Sequence, residues 1–585
     1  MKKIKTVIKN IYIQVLVITA ALIWTLQLRT SNIFTVLLLV GVYCLLQTKT
    51  PAQDKVECWI VGILSAIFSV LWVAGNYEAY QLSGVKKIVQ YMITVYGLYL
   101  LLHRVLSLLF HKLLSVELYK EREGKIKPWM FFAGAFVICM VCWLPYFLAY
   151  YPGIITDDAE WQLAQALGLR SYSNHQPWIH TMLHRLFYVL GFSLFHTPNA
   201  GVAVCVFMQM CVMAGTYAYL LLTFYKEKLH PYFILGSLAY FALFPVNAFY
   251  AVTLWKDVLL GAVVLLFSLS IWKICREKEG EKGAGKYMLF FITGVLLCIL
   301  RSNGYYAYLL CIPFFIWLFK GRRKRILLLC MLTVLLASVY KGPVLEQYHV
   351  VPPDVIESLS VPAQHIARVI ADGGELKKEQ YELLEKAVDV GQIKEVYDPT
   401  ISDPIKTLVR QTGDQEYIKE HKGDYFRLWL ELGFSHPSTY LKAQIDQTKG
   451  YWYPDVQYWV TTTMMKENDW GMYRDPKLPE PVVKILGVWE YIYRGIPVLG
   501  LLWSIGFYTW LLFVLIGAAV RKGKSILPFL PMVAILISLF IATPVQAEFR
   551  YSYAMVTAMP LFIAIVCEKK MRREYAEDSS IDTML

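Results

Sequence analysis

The densest run of reactive side chains in this sequence is Tyr151-Pro152-Gly153-Ile154-Ile155-Thr156-Asp157-Asp158-Ala159-Glu160-Trp161-Gln162. Two adjacent carboxylates follow an apolar run, and a carboxylate held at such an edge can work as a general base. Neighbouring side chains diverge, so a cleft needs only one of them. The other reading is a solvated loop in which Asp157 or Asp158 caps the next helix, a common use of Asp. Downstream come Asn174-His175-Gln176-Pro177, then His180, His184 and Arg185. His180 and His184 stand at i, i+4 on one helix face, which suits either a metal pair or an interfacial helix meeting headgroups. Without the Glu of HExxH the metal signal is weak. Three more charged sites sit at the edges of apolar runs: Trp255-Lys256-Asp257, Arg301-Ser302-Asn303-Gly304 and Glu548-Phe549-Arg550-Tyr551. Each alone is explained by a snorkelling charge or a structural ion pair. Together they would gather a base and several cations in one electrostatic pocket.

The elements that must position these residues are membrane spans. Of 585 residues 57% are apolar and 17% charged, and the mean hydropathy is +0.45. That excludes a soluble globular enzyme, a disordered chain and a coiled coil. The net charge of +13 then reads as basic cytoplasmic loops rather than a nucleic-acid surface. Apolar runs near 11–27, 33–47, 58–74, 89–110, 129–150, 199–224, 232–250, 257–274, 287–302, 304–319, 326–340, 496–520, 525–542 and 551–567 predict an all-α polytopic protein of about 14 spans. The basic start (Lys2, Lys3, Lys5, Lys9) leads into a first span rather than a cleaved signal. With both termini cytoplasmic, the short loops on that side carry about thirty Lys/Arg against about eight opposite.

This orientation puts two long segments outside. In the first, 151–198, helices over 159–167 and 178–194 are expected flat on the membrane surface, with Trp161, Trp178 and Tyr188 at headgroup level. The second, 341–495, is long enough for a mainly helical domain, with helical stretches at 375–388, 425–432 and 437–449. The organisation expected is a four-span region (1–128), a core (129–340), the outer domain (341–495), three last spans (496–567) and a tail (568–585). Eleven scattered cysteines show no zinc spacing and no disulfide framework. A bacterial cytoplasmic membrane fits that usage.

At these residues the chain resembles the GT-C class of polytopic glycosyltransferases, which includes the protein O-mannosyltransferases and the lipid A aminoarabinose transferases. More closely it looks like a bacterial GT-C-like membrane family with little assigned function. The pattern runs Pro152-Gly153-x-x-Thr156-x-Asp158-x-x-x-Gln162, Asn174-His175-x-Pro177, Leu254-Trp255-Lys256-Asp257, Arg301-x-Asn303-Gly304 and Glu548-x-Arg550-Tyr551. The outer segment adds Ser360-Val-Pro362-x-Gln364-x-Ile-Ala-Arg368, Ser402-Asp403-Pro404 and Gly450-Tyr451-Trp452-Tyr453-Pro454. Gln176 departs from the related pattern, which often has a second His there.

The resemblance implies transfer of a sugar from a polyprenyl-phosphate donor to an envelope polymer or lipid acceptor among membrane lipids, without nucleic acid. Asp158 matches the essential acid of the first outer loop, with Asp157 as fallback and Asp257 as the second acidic position. Lys256, Arg301 and Arg550 are the expected phosphate contacts; Asp257 and Glu548 orient them or assist at the acceptor. His175, Asn303, Tyr551, Gln364, Arg368 and Trp452 complete the expected substrate-binding set. Tyr451–Tyr453 either stack on a sugar or simply pack the domain. The resemblance fixes no cofactor; a divalent cation (Mg or Mn) between Asp158 and Asp257 is left open, without support from spacing. The main rival is a transporter or flippase of lipid-linked substrates, which favours midplane charges and repeated halves. Three others share some of the features: an O-antigen-ligase-like transferase, an acyltransferase centred on His175, His180 or His184, and a scaffold.

Overall fold

The computed structural model describes residues 10–568 apart from 29, 31, 81, 121–125, 279–282, 464 and 497. The basic start Lys2–Lys9 and the tail from 569 lie outside the described residues. These are all-helical: no named strand occurs, and only isolated bridges pair extended residues. The apolar runs of the sequence are helical, as a hydrocarbon solvent demands when every backbone group must bond within its own segment. Among the described residues, seven helices are long and apolar enough to cross a membrane. The pair Pro231–Leu243 and Pro245–Ala251, bent by 52°, counts as an eighth if it is one span. The protein is a multi-pass membrane protein.

Burial separates centre from periphery. The helices Lys256–Cys275 and Phe549–Cys567 are 78% and 83% buried within the protein, whereas Arg323–Gln347 is 22% buried and presents its apolar side chains outward. The two central helices approach closely at Gly261, whose carbonyl accepts from Thr557 Oγ1 at 3.1 Å. Small residues at such a crossing let backbones meet, as in membrane bundles generally. Buried hydroxyls join the bundle further: Tyr217 and Tyr553 are 3.1 Å apart, and Tyr553 donates to Asn247 at 2.8 Å.

The first four helices (Ile11–Thr25, Ile33–Gln47, Lys55–Gly75, Gly84–Ser115) pack mostly on one another. Arg104 closes the open end of the second, donating to the Leu45 and Leu46 carbonyls at 3.3 Å each. Phe68 stacks on Trp510 at 4.1 Å and ties this region to the rest.

The segment after Val339 forms a compact helical unit from Val355 to Tyr451, with its own core around Ile356, Ala367, Ile393, Ile405 and Leu408. It grips the turn after Leu530–Ala542. Gln444 donates to Phe540 O at 2.7 Å, Gln447 to Thr543 O at 2.8 Å, and Ser402 N–H to Pro544 O at 2.8 Å. Beyond Tyr453 the chain leaves this unit and runs back along 148–155, where Lys466 N–H donates to Ile155 O at 2.9 Å.

The helices Asp157–Ala166 and Trp178–Phe195 lie within a residue or two of their expected bounds. Their aromatic residues are placed otherwise. Trp178 is buried against Tyr348 and Tyr188 is buried over Gly201, so both pack the protein; of the three only Trp161 is exposed, under the Arg170 guanidinium.

Candidate functional site

Two backbone features bring the distant charges together. First, the extended residues before Asp157 pair with those before Lys256: Ile154 N–H donates to Val252 O at 2.9 Å, and Leu254 N–H returns to Ile154 O at 3.3 Å. Trp255 Nε1–H then donates to Thr156 Oγ1 at 2.8 Å. Two helix N-termini, Asp157–Ala166 and Lys256–Cys275, are thereby set side by side. Second, the helices Ala284–Leu300 and Ser302–Leu318 are separated by Arg301 alone, which is extended and lies at the same end of the bundle.

Arg550 is the hub. Its Nη1 donates to Asp158 Oδ2 at 2.8 Å, and its Nε lies 3.3 Å from Glu548 Oε1 and 4.0 Å from Asp257 Oδ2. Arg301 pairs with the other oxygen of Asp257 and lies 4.3 Å over the Tyr551 ring. Lys256 donates to Gln176 Oε1, so the residue that departs from the related pattern holds a cation. Three cations therefore interleave with three carboxylates. Burial alone would raise the Asp158 carboxyl, but the Lys256 ammonium and the Arg550 guanidinium outweigh it and hold it at about 2. Glu548 goes the other way: burial dominates and pushes it up to about 7 despite Arg550.

A cavity of about 760 Å³ opens beside this cluster. Asp158, His175, Lys256, Arg301, Asn303, Arg550 and Tyr551 line it on one side. Asp257, 1% exposed, and Glu548 lie behind that wall, where they can orient Arg301 and Arg550 but do not face the space. Asp157 reaches the rim, largely in solvent, and pairs with Lys466 at 2.7 Å.

On the opposite wall only Asp403 belongs to a sequence motif. Lys406 pairs with Glu357 at 3.0 Å and Asp403 at 2.6 Å, Arg410 with Asp354 at 2.8 Å, and Lys341 stands at 4.0 Å over Tyr305. Its available signal was Lys406 and Arg410 at i, i+4 behind the Ser402-Asp403-Pro404 helix start.

Three expected substrate contacts lie elsewhere. Gln364 is buried and donates to the carbonyls of Asp398 and Ile401 at 2.8 and 2.7 Å. Arg368 pairs with Asp372 and Asp446, both at 3.0 Å. Trp452 is buried and donates to Thr448 Oγ1 at 3.1 Å, while Tyr451 binds the Val545 carbonyl at 2.8 Å, so this aromatic run packs the protein and offers no sugar platform. His180 and His184 are buried with ring centroids 4.2 Å apart, and His180 Nδ1 is 3.0 Å from Gln162 Oε1. Burial lowers both, His184 to about 4, which favours neutral imidazoles packed inside the protein.

A divalent cation between Asp158 and Asp257 does not fit this donor set. The Arg550 guanidinium already bridges the two carboxylates, and among the described residues no three His, Cys, Asp or Glu side chains gather as metal ligands.

Residues 170–580 match DUF6020, a family of unknown function. The chain belongs to this family. The stretch shared with DUF6020 includes His175, Lys256, Arg301 and Arg550 and begins after Asp158. No curated protein matches the chain, and no solved structure matches it.

Proposed function

We propose that the protein is a GT-C-like membrane glycosyltransferase that moves a sugar from a polyprenyl-phosphate donor to a cell-envelope acceptor on the outer face of a bacterial cytoplasmic membrane. The observation that carries this reading is one ionised carboxylate, Asp158, facing a cavity beside Lys256, Arg301 and Arg550. In the proposed reaction an acceptor hydroxyl attacks the anomeric carbon and its proton passes to Asp158. The bond from that carbon to the phosphate oxygen breaks, and the phosphate leaves with the electron pair. Its growing charge is met by the guanidinium and ammonium groups, and no second carboxyl is needed as acid. A phosphate that draws Lys256 and Arg550 toward itself weakens the two charges that depress the Asp158 carboxyl and makes it a better base where the hydroxyl arrives.

The proposal includes about 14 spans with both termini cytoplasmic and the Val355–Tyr451 unit outside; the shorter apolar helices, such as Ile33–Gln47 and Ile505–Arg521, are then spans too. Asp158→Asn is expected to insert normally and to abolish sugar incorporation in cells lacking the native protein. Undiminished incorporation would overturn the assignment. A transporter is the second reading, favoured by the broken helix at Phe244. Sealed vesicles separate the two, because a transporter moves lipid-linked sugar without consuming it.

A further inference from the structure

A second cavity, of about 460 Å³, lies inside the Val355–Tyr451 unit and has no part in the charged site. Its walls are apolar, with Ile356, Leu359, Ala367, Leu384, Ile405 and Val409 among them. Protein interiors are close-packed, with few voids larger than a water molecule. An engineered apolar cavity of roughly 150 Å³ stays dry and takes a benzene ring, so this one has room for on the order of fifteen to twenty carbons. The mouth lies between two helices, Ser360–Ala371 and Lys422–Ser435, where Pro362, Ala363, Lys422, Phe426 and Trp429 reach both the cavity and the surface. Lys422 is the one charged residue of the lining, and no carboxylate pairs with it among the described residues.

The surface around the mouth points to the source of the occupant. Phe426, Leu430 and Phe434 are exposed at i, i+4, i+8 along the Lys422–Ser435 helix, Phe434 at 84%. Leu441, exposed on the next helix, stands one turn before Gln444, which binds the Phe540 carbonyl at the end of a bundle helix. On that bundle helix Ile537 and Ile541 are exposed as well. Exposed apolar side chains thus stand on the bundle helix, on the helix bonded to its end and on the helix that borders the cavity mouth.

We propose that this cavity binds a single hydrocarbon chain carrying an anionic head, the chain lying among the apolar walls and the head meeting Lys422. The inference does not depend on sugar transfer. The chain belongs either to a free fatty acid or to a membrane phospholipid, which share this chemistry.

The test uses the full-length protein in phosphatidylcholine nanodiscs and three photoactivatable diazirine probes: palmitate, hexadecanol and a palmitoyl phosphatidylglycerol. Cross-linked peptides are mapped by mass spectrometry. Label is expected on peptides from 356–371 and 403–435. Ala363→Phe at the mouth and Ala367→Trp inside should each cut it at least fivefold while melting behaviour is retained; if Ala367→Trp does not fold, Ala363→Phe decides. Lys422→Glu should weaken palmitate labelling severalfold and leave hexadecanol within twofold. Label from palmitate alone identifies a free fatty acid, and label from the phosphatidylglycerol alone identifies a bilayer lipid. Labelling that is equal in the wild type and the plugged variants, or confined to other peptides, overturns the proposal.

Discussion

Arg550 is the one cation of the cluster that touches all three carboxylates, and its removal leaves them with only Lys256 and Arg301 as counter-charges. Breaking a buried ion pair from one side costs about 3–5 kcal/mol. Arg550→Ala is therefore expected to lower the unfolding temperature far more than Asp157→Ala, whose side chain is 82% exposed. Thermal unfolding of the two variants in the same nanodiscs checks this. Glu548 makes a second expectation at this scale. Its native carboxyl is raised to about 7 from an ordinary value of 4.5. The contribution to stability is then fully present below about 4.5 and disappears as pH rises through 7, on the order of 3 kcal/mol in all. Asp158 has the opposite sign: its contribution is present above its ordinary value of 3.8 and disappears as pH falls toward 2. Denaturation measured from pH 4 to 8 should show the decline in the wild type and a flatter profile in Glu548→Gln.

At the level of elements, two glycines explain motifs that look chemical. A Cβ at Gly304 would strike the Leu297 carbonyl, so the Arg301-x-Asn303-Gly304 run is what lets two helices meet with one extended residue between them. A Cβ at Gly450 would strike the Gln546 carbonyl, four residues before Arg550. Gly450→Ala must push that strand of chain aside, and is expected to reduce the proposed transfer by moving Arg550 while Asp158 itself stays in place. The check is a loss of turnover in a variant that still traffics and folds. Gln364→Leu should cost roughly 1–3 kcal/mol, because two part-buried carbonyls lose the donor that the buried Gln364 supplies. The family resemblance implied that polar residues such as Gln364 and Arg368 are substrate contacts. Apart from Asp372, four residues after Arg368, their partners are far away in the chain, at Asp398, Ile401 and Asp446, where no local spacing announces them. The charged edge residues were legible because a charge beside an apolar run is costly wherever the chain folds. The second wall was less so: Glu357, Lys406 and Arg410 sit on amphipathic helices whose charged faces resemble ordinary solvated surface.

For the whole molecule, composition and hydropathy set out the helices well before any geometry, since apolar runs long enough for a bilayer have few other uses. They could not rank those helices from centre to edge. Lys256–Cys275 and Arg323–Gln347 are both strongly apolar, yet one is core and the other presents its apolar side chains outward. The proposed orientation has a direct check. Lys466→Cys, beside the charged cavity, should react with a membrane-impermeant maleimide in intact cells. Lys524→Cys, at the opposite end beside Glu568, should react only after permeabilisation. The reverse pattern would invert the topology.

One helix, Asp403–Thr412, separates the two chambers. Ile405 and Val409 look into the apolar one, Lys406 and Arg410 into the charged one. Neighbours in sequence thus belong to different compartments, and a systematic substitution scan along this partition should beat with the helical repeat. Chain uptake should fall at one phase of the turn and handling of the phosphate-bearing substrate at the other, a signature that a general loss of folding cannot imitate.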